Sequence, residues 1–165
     1  MERLMDETIK TPADSAVETR YLVMPGNANA FGTAFGGAIM SWIDMVAAMA
    51  AQKHCGRQVV TAGIDSVAFE APVRIGDQLI LLATVNYASC TSMEVGVKVI
   101  KENPATGQRV TATRAFVTLV AIDENHHPIP VPKLTPQTDE EKRRANNAAL
   151  RVKARKQLRQ QTTRR

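Results

Sequence analysis

Aromatic residues are scarce in this chain, 4 % of 165 positions, so aliphatic side chains and alanine must fill any core. Cysteine is scarcer still. Cys55 and Cys90 are the two present, at a spacing that fits no metal-ligand pattern, and they read as free thiols of a reducing compartment. Long hydrophobic runs are missing too. The longest apolar segment, residues 38–51, is broken by Ser41 and Asp44 and is too short to cross a bilayer. The opening MERLMDETIK holds no apolar signal core. These absences exclude a disulfide scaffold and a helical membrane protein, and they favour the cytoplasm. A hydrophobic share of 44 % is nevertheless enough for one domain with a tail.

The net charge of +5 is unevenly spread. Residues 139–165 hold ten Lys or Arg against three acids, while the rest of the chain carries a net −2. The basic character therefore belongs to a tail. That tail contains no aromatic residue to stack on bases, so it reads as a solvated helix or a disordered end rather than a nucleic-acid surface.

Residues 1–17 are polar, lack periodicity and read as a flexible N-terminal arm. Residues 19–24 form a short strand closed by Pro25-Gly26. A loop rich in small residues follows, with Asn27, Asn29, Gly32, Gly36 and Gly37. Over 38–54, Ile39, Ile43, Val46, Ala47 and Ala50 recur at three- and four-residue spacing, and Met40, Trp42 and Met49 add bulk around them. This predicts a helix apolar on most sides, hence buried, ending at Lys53, His54 and Gly56. Strands follow over 59–69, 78–87, 93–100 and 109–122, the third alternating cleanly between Met93, Val95, Val97 and Val99 and Glu94, Gly96 and Lys98. Prolines 128, 130, 132 and 136 close the domain, and Thr138-Asp139-Glu140-Glu141 reads as a capped helix start. The expected organisation is an α+β domain over 18–136, with a basic helix or tail over 137–165. One helix on one sheet leaves edges open, so the domain is expected to assemble into a homo-oligomer.

Asp44 is the strongest anomaly: a carboxylate inside an apolar helix loses solvation and becomes a candidate base or nucleophile. Gly36 and Gly37 stand where that helix begins, and first-turn N–H groups lack intrahelical partners. Such amides can polarise a carbonyl, and the helix dipole favours the developing negative charge. Along a helix, Gly37 and Asp44 are separated by roughly 10 Å, at about 1.5 Å per residue. An aspartate cannot close that gap, so the site is expected to pair Asp44 of one protomer with the glycine loop of another across a twofold axis.

Asn29-x-x-Gly32-x-x-Phe35-Gly36-Gly37, then Met40 and Asp44, resembles the signature of hotdog-fold acyl-CoA hydrolases, bacterial short-chain and brain-type. Further matches run through Val59-Val60-Thr61, Phe69-x-x-Pro72-Val73-x-x-Gly76-Asp77 and Thr91-Ser92-Met93-Glu94-Val95-Gly96-Val97. The pattern departs at Ala30 and Cys90, where histidine and arginine are usual. The resemblance implies a hotdog fold, a long central helix wrapped by a curved antiparallel sheet, and a homo-oligomer built as a trimer of dimers. It implies hydrolysis of acyl-CoA, with coenzyme A as part of the substrate and neither metal nor cofactor. Asp44 would be general base or nucleophile, Gly36 or Gly37 the carbonyl-polarising amide, and Asn29 the residue orienting water or substrate. Thr61 and Ser92 match positions near the site. Trp42, Met45 and Phe69 are candidates for the acyl tunnel, and Lys53, Arg57, Arg74 and Arg114 for the CoA phosphates. A hotdog hydratase would need a histidine beside Asp44, and none shares its helix face. A non-catalytic acyl-CoA-binding module would not need the buried carboxylate.

Overall fold

The computed structural model describes residues 9–163. A 3-10 turn, Pro12–Ser15, leads into β1 (Val17–Leu22). Then come helix α1 (Gly36–Cys55) and strands β2 (Gln58–Phe69), β3 (Gln78–Ala88), β4 (Ser92–Glu102) and β5 (Arg109–Ile122), and finally helix α2 (Asp139–Thr162). The five strands make one antiparallel sheet in the order β1-β3-β4-β5-β2. β3, β4 and β5 are joined as successive hairpins. β2 is not the hairpin neighbour of β3: residues 70–77 carry the chain from the far edge back across the sheet, and β2 pairs with β5.

α1 lies across one face. Its residues Ile39, Trp42, Ile43, Val46, Ala47 and Ala50, three or four apart, are buried against Leu79, Leu81, Val95, Val97, Val117 and Leu119. Each large aliphatic side chain so buried contributes roughly 1.5–3 kcal/mol relative to exposure. Gly56 ends the helix at φ 64°, a left-handed conformation that costs glycine little, and its N–H donates to Gln52 O at 2.7 Å. The expected all-round burial is corrected. Met40, Met45 and Met49 stand 36 %, 48 % and 39 % exposed, because one sheet covers only one side of the helix.

Two further expectations change. The N-terminal arm lies outside the described residues as far as residue 8, but the segment from Lys10 onward is held against the domain. Lys10 bridges to Leu134, and the buried Ser15 hydroxyl accepts from Val85 N–H at 2.8 Å. The basic tail is a helix docked on the sheet face away from α1. The Thr138 hydroxyl accepts from Glu141 N–H, and the Glu141 carboxylate accepts from Thr138 N–H, so the first turn is capped reciprocally. Arg151 donates twice to one oxygen of Glu94, at 2.9 and 2.7 Å, and stacks 3.5 Å above the Phe116 ring. Arg155 donates to the other Glu94 oxygen at 2.8 Å and to Asp65 at 2.7 Å.

His54, in the last turn of α1, is buried and donates from Nε2 to Pro132 O at 2.9 Å, tying the proline-rich segment to the helix. Its Nδ1 has no partner among the described residues. Burial lowers its pKa from 6.5, outweighing the opposing hydrogen bond to Pro132. The nearby Lys10 pushes it further down, and Asp14 pulls it up. Below about pH 6.5 the unfolded chain takes up a proton that the folded chain refuses, so stability falls as pH drops through that value. His54→Gln keeps a donor for Pro132 and removes the titration. Thermal melts at pH 7.5 and 5.5 should show a smaller acid-induced drop in Tm for the variant than for the parent.

Candidate active site

Asp44 sits at mid-helix on the outer side of α1, half-buried. Its Oδ1 accepts a 2.6 Å hydrogen bond from the Thr61 hydroxyl on β2. β2 carries irregularities between Thr61 and Gly63 and between Asp65 and Ala68, and the second contains Ser66 at φ 52°. These re-aim successive side chains of the strand. Thr61 faces α1, while Asp65 faces α2. Among the described residues Asp44 has no second donor, so Oδ2 is free to accept from water or to attack.

The glycine loop is held by Asn29. Its Oδ1 accepts from the N–H groups of Phe31 at 2.9 Å and Thr33 at 3.3 Å, and its Nδ2 donates to Thr33 Oγ1 at 2.9 Å. Ala34 N–H donates to Val73 O and Phe35 N–H to Asn27 O, which pins the approach to α1. Phe35, at the N-cap, offers no side-chain acceptor. The N–H groups of Gly36 and Gly37 therefore have no acceptor among the described residues. A Cβ at Gly37 would lie 2.7 Å from the Phe35 ring, so that half-exposed ring would have to turn to admit a side chain there. At Gly36 a Cβ would come within 3.3 Å of the Phe69 ring. Thr33, Gly36, Ile39, Phe69 and residues 70–73 line a cleft of about 450 Å³.

Of the residues predicted from sequence, the structure brings Asp44 and Thr61 together, and separately Asn29, Gly36, Gly37 and Phe69. Arg74 stands beside the second group, bridged to Thr33 and turned by Asp77, whose carboxylate accepts from Arg74 N–H at 2.8 Å. Other residues lie apart. Trp42 is a core residue, stacked on Tyr21 at a centroid distance of 5.1 Å, because two positions along a helix turn it away from Asp44. Ser92, in register with Val120, shares the outer sheet face of Glu94 and does not reach Asp44. Arg57 lies past the opposite end of α1, in a second cleft with Gln58 and Ile122. Lys53 donates to Ala16 O at 2.9 Å, and Arg114 pairs with Glu70 at 3.2 Å.

Sequence reasoning missed Thr33 and Phe35 as the partners that shape the glycine loop. A threonine four residues after Asn29 was the available signal. It also missed the arginine pair of α2, whose partners Glu94 and Asp65 are 57 and 90 residues away in the chain for Arg151 and Arg155 respectively.

Residues 31–108 match the family model of the thioesterase superfamily. An uncharacterised acyl-CoA thioester hydrolase of Bacillus subtilis is 43 % identical over 87 % of this chain and 83 % of that protein. The structure of an acyl-CoA hydrolase from Staphylococcus aureus, in complex with butyryl coenzyme A, coenzyme A and coenzyme A disulfide, superposes with a TM-score of 0.88. It is 37 % identical over 94 % of this chain and 95 % of that one. A hexameric acyl-CoA thioesterase, solved in the apo form, gives a TM-score of 0.86 at 43 % identity, over 90 % and 95 % of the two chains. The S. aureus enzyme has also been solved with an asparagine, an aspartate or a threonine replaced by alanine.

Proposed function

This chain belongs to the thioesterase superfamily, and on that premise we propose that it hydrolyses the thioester of acyl-CoA to a free fatty acid and coenzyme A. The observation that carries the reading is a carboxylate fixed through one oxygen by Thr61, with its other oxygen free, on a helix whose first amides are unpartnered. In support, the three alanine positions of the S. aureus enzyme are spaced 15 and 17 residues apart, as Asn29, Asp44 and Thr61 are.

Either Asp44 takes a proton from water as the water attacks the thioester carbon, or its Oδ2 attacks directly and water then cleaves the resulting anhydride. On both routes the carbonyl oxygen becomes an oxyanion, and a Gly36 or Gly37 N–H stabilises it. The C–S bond breaks and coenzyme A leaves as thiolate; on the first route it takes the proton that Asp44 gained from water, and on the second the proton released when water cleaves the anhydride. Thr61 holds the carboxylate in line. Thr61→Val should lower kcat roughly tenfold with KM little changed, because it removes orientation rather than the reacting group. Initial rates by thiol release measure both.

Asp44 and the glycine amides lie roughly 10 Å apart along one helix, which is why two protomers are needed for each site. β2 is one of the two edge strands of the sheet, at the end opposite β1. Antiparallel pairing of β2 with a second copy sets the Arg57 end of one strand beside the Phe69 end of the other. Arg57 of one protomer then joins Arg74 of its partner at the partner's glycine-loop cleft, where two guanidinium groups suit the CoA phosphates. The assembly is a homo-oligomer built on this dimer, with three dimers in a hexamer. The two unpaired cysteines suit a reducing cytoplasm.

The deciding test is thiol release from acyl-CoAs of graded chain length in the presence of a thiol-reactive dye. Turnover of any of them supports the hydrolase. Tight binding without turnover at every length would instead identify a non-catalytic acyl-CoA-binding module.

A further inference from the structure

α2 begins beside the N-terminal segment, where Thr135 N–H donates to Lys10 O and Lys10 bridges to Leu134. It comes closest to the sheet at β3, with Ala148 fully buried. One turn later Arg151 reaches Glu94 on β4 and Phe116 on β5, and another turn on Arg155 reaches Asp65 on β2. Given the order β3-β4-β5-β2, the helix travels toward the β2 edge. Its inner stripe is Glu141, Arg144, Ala145, Ala148, Arg151, Val152 and Arg155, at three- and four-residue spacing, and all of these are at least half-buried. The same stripe continues through Leu158, Arg159 and Thr162, yet every residue from 156 to 163 is exposed and Leu158 is 61 % exposed. Arg155 already holds the last strand of this chain, so two turns of helix have no sheet of their own beneath them.

We propose that these last two turns of α2 cross the β2 edge and rest on the outer sheet face of a second copy of this chain, each protomer clasping its partner. This rests on the reading of β2 as the edge where copies join. A strand added there continues the sheet under the helix about 4.8 Å further on. The β2 it adds presents Val60, 44 % exposed, on the same face as Asp65 and Glu94. Leu158 supplies the apolar contact, and the twofold axis makes the clasp reciprocal.

The test is subunit exchange between isotope-labelled and unlabelled full-length protein, followed by native mass spectrometry. It is repeated with Leu158→Glu and with a chain ending at residue 156, which keeps Arg151 and Arg155. Both variants should retain the parent's circular dichroism per folded residue and exchange subunits roughly tenfold faster or more. Exchange at the parental rate in both overturns the clasp and leaves the β2-edge dimer standing. A parent that is monomeric at micromolar concentration overturns both. Variants that release intact dimers at the parental dimer lifetime would place the overhang between dimers, which also overturns the assignment.

Discussion

Asp44→Ala should lower kcat for thioester hydrolysis about 10³-fold or more while leaving the fold and the assembly in place. The size follows from the position of the residue. Asp44 is the one carboxylate on the outer side of α1, and its Oδ1 accepts from Thr61 in the only hydrogen bond that it makes among the described residues. Removing it leaves water without a base, or the acyl group without a nucleophile, while the Gly36 and Gly37 amides still polarise the carbonyl. Residual turnover from those amides is therefore expected to remain above the rate in water. Because the side chain is half-exposed, its loss opens no cavity, and Tm should move by no more than a few degrees. Asp44→Asn separates the roles further: the amide still accepts from Thr61 but serves neither as base nor as nucleophile, so it should be nearly as inactive. Single-turnover thiol release, with circular dichroism as the control, checks both. Activity within tenfold of the parent would sink the assignment.

Replacing Arg151 and Arg155 together by methionine should destabilise the protein by about 3–5 kcal/mol, the typical effect of stranding a buried charge. Glu94 is 1 % exposed and is held by both guanidinium groups. With both removed, its carboxylate faces Phe116 and a methionine layer with no donor to replace water. Replacing the acid instead is milder. Glu94→Gln leaves two arginines that are each about a fifth to a quarter exposed and can turn toward solvent. That change should cost about 1–2 kcal/mol. The asymmetry between the two sides of one ion network is the test, read from urea denaturation midpoints at unchanged m-value. Equal losses on both sides would mean that Glu94 reaches water in solution.

Legibility of the sequence depended on how local each cause was. Helix α1 was readable because its apolar positions repeat within a turn, and β4 because Met93, Val95, Val97 and Val99 alternate without a break. The expected strand over 109–122 coincides with Arg109–Ile122 for the same reason. The place of β2 at the far edge was not readable, since nothing within residues 58–69 names β5 as its partner. Asp44 stood out as a charge in an apolar run. Its hydrogen bond to Thr61, 17 residues on, depends on an irregular strand that no periodicity announces. Trp42 looked like a tunnel residue because it is a large apolar side chain on the helix that carries Asp44, but neighbours in a helix point different ways. Met40 and Met49 looked like core because their type is apolar, and Met45 like a tunnel residue, whereas the chain's own sheet covers only the other side of α1.

Those three methionines have a consequence for the life of a newly synthesised protomer. On the proposed two-protomer site, a lone protomer would carry an oily flank and half of each reaction centre, at once sticky and inert. Encounter with a sister molecule would then hide the flank and complete the chemistry in the same step. Specific activity should therefore fall on extreme dilution, and chains that have not yet found a mate spare the cell's pool of activated acids.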